Sequence, residues 1–342
     1  MNREPKFDLW DISIIPAIIS DVEHRSECNI MYDNRKLPLI ASPMDTVVCK
    51  RNYQEFIDND IIPCLPRGTE GLDLIGRAGF FQALGLCQIE SDLKRQTPLY
   101  LGKYPNILID IANGHMAKLI PIIKEIKQRW PWTKLMVGNV AHPLTYKNLA
   151  MAGADYVRCS IGTGAGCTTA ANVAINYPMG SLITECHKIK KESELEAKIV
   201  ADGGMQGYDD IIKALALGAD YVMVGSLFNK TMQSAGYNYL WGFRVPYFLA
   251  KILWKWGFPI KKKYRGMSTK AVQRSWGRSK LVTAEGITKY QKVEYNLSQW
   301  VENFQDYLRS NMSYCGAKNL SEFIGEVEWE YITNNAFKRF HK

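Results

Sequence analysis

Eight short apolar runs recur along the chain, and most are separated by stretches of helical periodicity. They are Leu37 to Met44, Ile61 to Leu65, Ala83 to Cys87, Ile107 to Ala112, Lys134 to Val140, Tyr156 to Ile161, Lys198 to Asp202 and Tyr221 to Gly225. Several are continuously apolar, as strands buried on both faces require. The helical stretches include His115 to Arg129, Pro143 to Met151 and Tyr208 to Leu217. Gly-Ala-Asp precedes two of the runs, at Gly153 and Gly218, where glycine can close the preceding helix. Strands alternating with helices imply a parallel sheet. A doubly wound sheet and a closed (β/α)8 barrel both satisfy the pattern. The count of eight within 342 residues favours the barrel. The expected fold class is therefore α/β, a TIM barrel, with residues 1–342 as a single catalytic domain and residues 1 to 35 as an irregular lead-in.

In a barrel the active site lies where the strands end. Ser42-Pro43-Met44-Asp45 follows the first run, Asp110-Ile111-Ala112-Asn113-Gly114 the fourth and Gly138-Asn139 the fifth. Asp202-Gly203-Gly204 follows the seventh and Gly225-Ser226 the eighth. After the sixth comes Ser160-Ile161-Gly162-Thr163-Gly164-Ala165-Gly166-Cys167-Thr168-Thr169. Three glycines in five residues let this backbone take φ > 0 and approach a ligand closely. Such a loop can aim N–H groups at a phosphate or carbonyls at a cation. Cys167 on it is a candidate nucleophile. A flexible turn carrying an incidental cysteine has the same local sequence. Phosphate is expected on the backbone donors of Gly203-Gly204 and Gly225-Ser226, with Asp202 taking ribose hydroxyls. The thiol would then face a base, and purine C2 and C6 are ring carbons to which a thiolate adds.

Composition narrows the alternatives. The net charge of +9 suits an anionic ligand, but the basic residues are scattered apart from Lys261-Lys262-Lys263, and no nucleic-acid motif accompanies them. Nucleic acid is not an expected partner. The eight cysteines show no CxxC pair, which argues for a reducing compartment and against a zinc site or disulfide framework. The seven besides Cys167 lie in strands, helices or apolar contexts and read as structural. The charged start, Met1 to Lys6, is unlike a signal peptide, and no apolar run reaches transmembrane length.

Residues 227–262 interrupt the pattern with an unusually aromatic stretch that includes Tyr237, Tyr239, Trp241, Phe243, Tyr247, Phe248, Trp254, Trp256 and Phe258. Phe248 to Lys263 has something of an amphipathic membrane anchor. An insertion packed on the barrel or on a second subunit is preferred, because aromatic patches more often mark protein contacts. Lys270 to Lys289, with Arg274, Arg278 and Glu285, reads as a long rim loop. Val301 to Leu308 and Leu320 to Val327 read as outer helices.

Taken in order, these pieces resemble the inosine monophosphate dehydrogenase / guanosine monophosphate reductase family. The carrying residues are Ala41-Ser42-Pro43-Met44-Asp45-Thr46-Val47, Asp110-Ile111-Ala112-Asn113-Gly114, Gly138-Asn139-Val140 and Gly162 to Thr169. Asp202-Gly203-Gly204, Tyr264-Arg265-Gly266-Met267-Ser268 and Glu285-Gly286 complete the set. The resemblance implies a (β/α)8 barrel, a homotetramer, and a purine mononucleotide as substrate. It makes Cys167 the nucleophile at purine C2, with Thr169 and Glu285 handling protons. It assigns Met44, Asn139, Asp202, Gly203, Gly204, Gly225, Ser226, Tyr264, Gly266, Met267, Ser268 and Gly286 to the nucleotide. Asp110, Asn113 and Gly114 are assigned to the cofactor, NADPH. Carbonyls of Gly162, Gly164 and Cys167 would hold a monovalent cation, K+.

Both branches of the family share a covalent intermediate on the thiol. The dehydrogenase hydrolyses it, and dehydrogenases resemble one another in an Arg-Tyr pair that activates water. Between Met267 and Glu285 no Arg-Tyr occurs, and there is no room for the paired regulatory domain many dehydrogenases insert. Ala112-Asn113-Gly114 resembles reductases, whereas Ser42-Pro43-Met44 and Lys263 to Met267 resemble dehydrogenases. The expected reaction is NADPH-dependent reductive deamination of GMP or dGMP to IMP; the alternative is oxidation of IMP to XMP with NAD. Ala165 stands where the pattern has serine, Ala170-Ala171 where it has a basic residue, and Ser226 where it has glycine. Such departures suit a divergent, virus-like or mobile-element version, placed in the cytoplasm, the host's if viral. A barrel that binds nucleotide without turnover is a third possibility, and the joint retention of Cys167, Thr169 and Glu285 speaks against it.

Overall fold

The computed structural model describes residues 5–69, 72–275, 283 and 285–340. A short strand, β1 (Ile12–Ile14), precedes eight parallel strands: β2 (Leu39–Ala41), β3 (Ile62–Leu65), β4 (Phe81–Leu84), β5 (Asn106–Asp110), β6 (Lys134–Val140), β7 (Tyr156–Cys159), β8 (Lys198–Asp202) and β9 (Tyr221–Val224). They form a closed barrel in sequence order, with β2 pairing β9 through Leu39↔Val222, Ile40↔Met223 and Ala41↔Val224. All eight expected strands are present, and the fold is a (β/α)8 barrel.

Alternation along each strand explains the unbroken apolar runs. On β9, Tyr221 and Met223 join the interior cluster with Ile40, Leu108, Met136 and Val200. Val222 and Val224 belong to the larger outer cluster that the helices cover. The N-terminal end of the barrel is filled by aromatic rings. Phe81 meets Tyr156 edge-on at 5.2 Å, and Tyr32 meets Tyr221 at 5.3 Å. Solvent therefore enters from the opposite end, where the strands terminate.

Several boundaries differ from expectation. The third barrel strand ends at Leu84, not Cys87. Gln88 Oε1 accepts from the Gly85 N–H at 2.8 Å and starts the helix Leu86–Leu93 there. The lead-in is not wholly irregular, because β1 pairs antiparallel with β14 (Trp329–Tyr331) and ties the two chain ends together. The helix Leu297–Cys315 is longer than Val301 to Leu308, and Gly316 in the left-handed region closes it. Leu320–Phe323 is shorter than expected. The span Lys270 to Lys289 is not one loop: it holds the helix Lys270–Ser275 and the start of a strand. Arg278 lies outside the described residues, and Arg274 is exposed on that helix.

The aromatic stretch folds into an outer antiparallel sheet and a helix, Tyr247–Lys255. The sheet runs β11 (Phe243–Val245), β10 (Asn238–Leu240), β12 (Lys261–Arg265) and β13 (Thr288–Lys292). It has its own small core of Met232, Leu240, Ala250, Ile260 and Val293. Trp241, Phe243, Phe248 and Trp256 remain exposed on its outside. No helix among the described residues is long and apolar enough to cross a membrane.

Candidate active site

Pairing of β12 with β13, Arg265↔Thr288 at its end, brings Gly266 and Gly286 side by side over the barrel mouth. Both meet the loop that follows β7. Gly266 donates to Ile287 O at 3.0 Å, Ile287 donates to Gly166 O at 3.0 Å, and Thr168 donates to Glu285 O at 2.9 Å. Cys167 and Gly286 form an antiparallel bridge. This stacking requires glycine: a Cβ on Gly266 would lie 2.5 Å from Gly166 O, and one on Gly166 would lie 2.9 Å from the Tyr264 ring. The far end is anchored by Arg265, whose Nε donates to both Asp45 oxygens at 3.1 Å. The outer sheet thus acts as the arm that delivers Glu285.

The delivery completes a donor chain. The Cys167 thiol donates to Thr169 Oγ1 at 3.2 Å, and Thr169 Oγ1 donates to Glu285 Oε2 at 2.5 Å. All three residues are half-buried. A proton leaving the sulfur therefore has a path to a carboxylate through a single hydroxyl. These groups face a cleft of about 960 Å³.

Most expected site residues line that cleft: Met44, Asn139, Asp202, Gly203, Gly204, Gly225, Ser226, Tyr264, Gly266, Met267 and Ser268, with Asp110, Asn113, Gly162 and Gly164. Gly286 sits behind Cys167, with Ser268 Oγ 2.9 Å from where its Cβ would be. Gly114 does not line the cleft. Its N–H donates to Asn139 O at 2.8 Å, and a Cβ there would strike the same carbonyl. The Ser226 hydroxyl accepts from Gln291 of β13 at 2.9 Å. Burial pushes the Tyr264 phenol well above its ordinary value.

Deeper in the mouth lies an ion network that the apolar pattern of β7 conceals. Arg158 shares the inward face with Tyr156 and is buried. It donates through Nη1 to Asp110 Oδ1 at 2.8 Å and through Nη2 to Asp202 Oδ2 at 2.7 Å. Asn139 adds a bond to Asp202 at 2.6 Å, and Arg67 Nε pairs with Asp110 at 2.9 Å. Gly138 stands between Asp110 and Arg158 in the register. A Cβ on Gly138 would lie 2.4 Å from that of Arg158, so the missing side chain is what lets Arg158 reach across β6. Burial raises the Asp110 pKa, and the Arg67 and Arg158 charges outweigh it, leaving the carboxyl below the usual range. Burial likewise opposes the Arg158 charge, and Asp202 and Asp110 overcome it.

The profile of the IMP dehydrogenase / GMP reductase domain matches residues 82–342. The chain belongs to the IMP dehydrogenase / GMP reductase family. It is 30% identical over 349 residues to the GMP reductase of Staphylococcus epidermidis, covering 97% of this chain and 98% of that one. It is 32% identical over 248 residues to the inosine-5'-monophosphate dehydrogenase of Chlorobaculum parvum, covering 69% of this chain and 47% of that one. The GMP reductase of Onchocerca volvulus is 25% identical over 363 residues. The chain thus spans about half of the dehydrogenase it matches (47%) and nearly all of the Staphylococcus reductase (98%). The family is one of oxidoreductases of purine metabolism.

Within this family fold, sequence reasoning missed Arg158 and Arg67 as site residues. A single arginine inside an otherwise apolar buried run was the available signal, since a buried charge demands partners. It also placed Cys87 among structural thiols. The early end of β4 puts Cys87 instead on a helix, exposed and lining the cleft.

Proposed function

We propose that the chain is an NADPH-dependent GMP reductase, converting GMP or dGMP to IMP with release of ammonia. The observation that carries this reading is the Cys167–Thr169–Glu285 donor chain. Attack by the sulfur on purine C2 forms a C–S bond and requires the thiol to lose one proton. Loss of the 2-amino group as ammonia breaks a C–N bond and requires one proton. Thr169 and Glu285 accept the first and return it to the second, so the covalent step closes on the residues present. Hydrolysis of the same intermediate would need a further base for water, and no Arg-Tyr pair stands between Met267 and Glu285.

The remaining roles follow the loops. Backbone N–H groups of Gly204, Gly225 and Ser226 suit the 5'-phosphate, whereas that of Gly203 already donates to Met223 O at 3.2 Å, and Met44 and Met267 offer apolar contact to the base. Asp202, held by Arg158 and Asn139, presents its remaining lone pairs to the ribose. At about 960 Å³ the cleft lies toward the upper end of the ~300–1,000 Å³ of small-molecule sites, room for a second planar ring beside the base. NADPH bound there, beside Asn113 and Asp110, would supply the hydride for C2; the C–S bond would then break, releasing IMP and the Cys167 thiolate, which takes its proton from solvent. The Gly164 carbonyl already accepts from the Cys167 N–H at 2.8 Å and keeps one lone pair for a cation. A K+ held by Gly162, Gly164 and Cys167 carbonyls would counter their converging dipoles, and rates in K+ should exceed those in a bulky organic cation. We extend the reading to a homotetramer, which sedimentation velocity would check.

The deciding assay offers GMP with NADPH and, separately, IMP with NAD+. NADPH oxidation with stoichiometric ammonia is expected in the first. XMP formation in the second, without NADPH consumption in the first, would make the chain a dehydrogenase.

A further inference from the structure

A second cavity of about 400 Å³ lies away from the cleft, between the helix Tyr53–Ile57, the segment 233–238 and the outer sheet with its helix. Its lining does not overlap that of the cleft. Lys262, on β12, is fully buried and lines it. Its ammonium donates to Ser234 O at 2.7 Å and lies 5.6 Å from the centre of the Tyr247 ring. No salt bridge to Lys262 is present among the described residues, Glu55 acting on it only through space, although a buried ammonium ordinarily carries a carboxylate partner. Two more cations, Arg51 and Arg244, line the same cavity, and Arg244 is already oriented by stacking 3.6 Å over the Tyr237 ring. Among the described residues the only acid in the lining is Glu55, so with Lys262 in its charged form three cations less one carboxylate leave two positive charges. A second observation is independent of charge. Asn238 is 5% exposed, lines the cavity, and its Oδ1 is buried with no hydrogen-bond partner. A buried acceptor left unpaired costs about 1–3 kcal/mol, which a ligand N–H or O–H would recover.

We propose that this cavity is a binding site for a small phosphomonoester, its dianion on Lys262, Arg51 and Arg244, its flat body against Tyr247 and a polar hydrogen on Asn238. With Lys262 protonated, the two uncompensated positive charges match a phosphate dianion better than a carboxylate, and the volume falls within the ~300–1,000 Å³ range of small-molecule sites. The electrostatics of Lys262 agree. Burial lowers its pKa to about 7, and Glu55 and Cys49 counter this only in part. An anion at the ammonium would restore the charged form. The cavity shares β12 with the arm that leads to Gly266.

Calorimetric titration with phenyl phosphate, and with inorganic phosphate as the headgroup alone, tests the site. The wild-type chain is expected to show two phenyl phosphate sites, one in the cleft and one here. Arg244→Ala and Lys262→Met should each weaken the same one by at least tenfold and leave the other unchanged. Arg244 is exposed, so its variant decides the matter if Lys262→Met does not fold. One site per chain in every protein, or wild-type isotherms from both variants, would overturn the proposal.

Discussion

The Cys167–Thr169–Glu285 relay and the Asp110–Arg158–Asp202 network share one mouth of the barrel but are carried differently. The relay sits on the loop after β7, the first residue of the short helix Thr169–Val173 and the segment before β13, is half-buried, and holds each pair by one hydrogen bond. The network sits on strands, is centred on the buried Arg158 with its two carboxylates only 14% and 11% exposed, and holds its arginine by several hydrogen bonds. The contrast follows from what each must do. A nucleophile and its acid–base partner have to exchange protons and admit a substrate, so their contacts are few and reachable. Arg158 only orients the carboxylates that face the ligands, so it can be locked, and strands lock it at low conformational cost. Removing a member of the relay should therefore cost rate, and removing Arg158 should cost stability.

The largest effect is expected from Cys167→Ala. Without the sulfur no covalent intermediate forms, and turnover should fall by ~10³-fold or more, the scale on which removal of a nucleophile acts. Nucleotide affinity, measured by calorimetry, should stay within a few-fold, and so should the urea midpoint. Near-normal turnover would show that the chemistry does not pass through this thiol; Cys87, the other thiol lining the cleft, would then be the one to replace next.

Arg158→Met should behave in the opposite way. It leaves Asp202 with only the Asn139 amide and Asp110 with only Arg67, and breaking a largely buried pair costs up to about 3–5 kcal/mol. Chemical denaturation should register that loss, where Cys167→Ala shows almost none. A loss below ~1 kcal/mol would mean that water reaches the network and that the two sites are not different in kind.

Glu285→Gln sharpens the comparison within the relay. The amide preserves shape and still accepts the Thr169 hydroxyl, so stability should hold. It cannot take a proton from the thiol, and a loss of about 10²-fold or more in turnover is expected, the range of general acid–base catalysis. Ammonia release should fall in parallel. An unchanged rate would remove Glu285 from proton handling.

Legibility in the sequence divides along the same line. The barrel was readable because strands buried on both faces leave runs such as Ile107 to Ala112 that few other structures use. Boundaries blurred where a side chain decides them, as Gln88 does in capping the turn after Leu84. The glycine–thiol loop was readable because its parts are adjacent. Glu285 is 116 residues from Thr169 and was reached only through family resemblance. Its carriers, Lys261–Arg265 and Thr288–Lys292, lack the apolar alternation that marks a strand, so the pairing that delivers it has no local signature. The network was illegible for a further reason. Its members gain meaning only from barrel register, in which Gly138 leaves the gap through which Arg158 meets Asp110.

The smallest expected effect tests whether the network is graded by burial. Asp110 binds two guanidiniums: Arg158, with its side chain 8% exposed, and Arg67, with its side chain 20% exposed. Arg67→Met removes the outer one and leaves the carboxylate paired to the inner, so no charge is stranded. The loss at neutral pH should be about 1–2 kcal/mol, well under that of Arg158→Met. Acid supplies the control. The folded Asp110 pKa lies below its ordinary 3.8, so its contribution is present above that value and fades as pH falls through the folded pKa. Losing Arg67 brings the folded pKa back toward 3.8 and shrinks that contribution. The gap between wild type and Arg67→Met should therefore be widest near pH 7 and narrow below pH 3.8, as read from urea midpoints across the range. A gap independent of pH would assign the loss to the packing of the Arg67 stem instead, and the gradation would then follow contact and not charge.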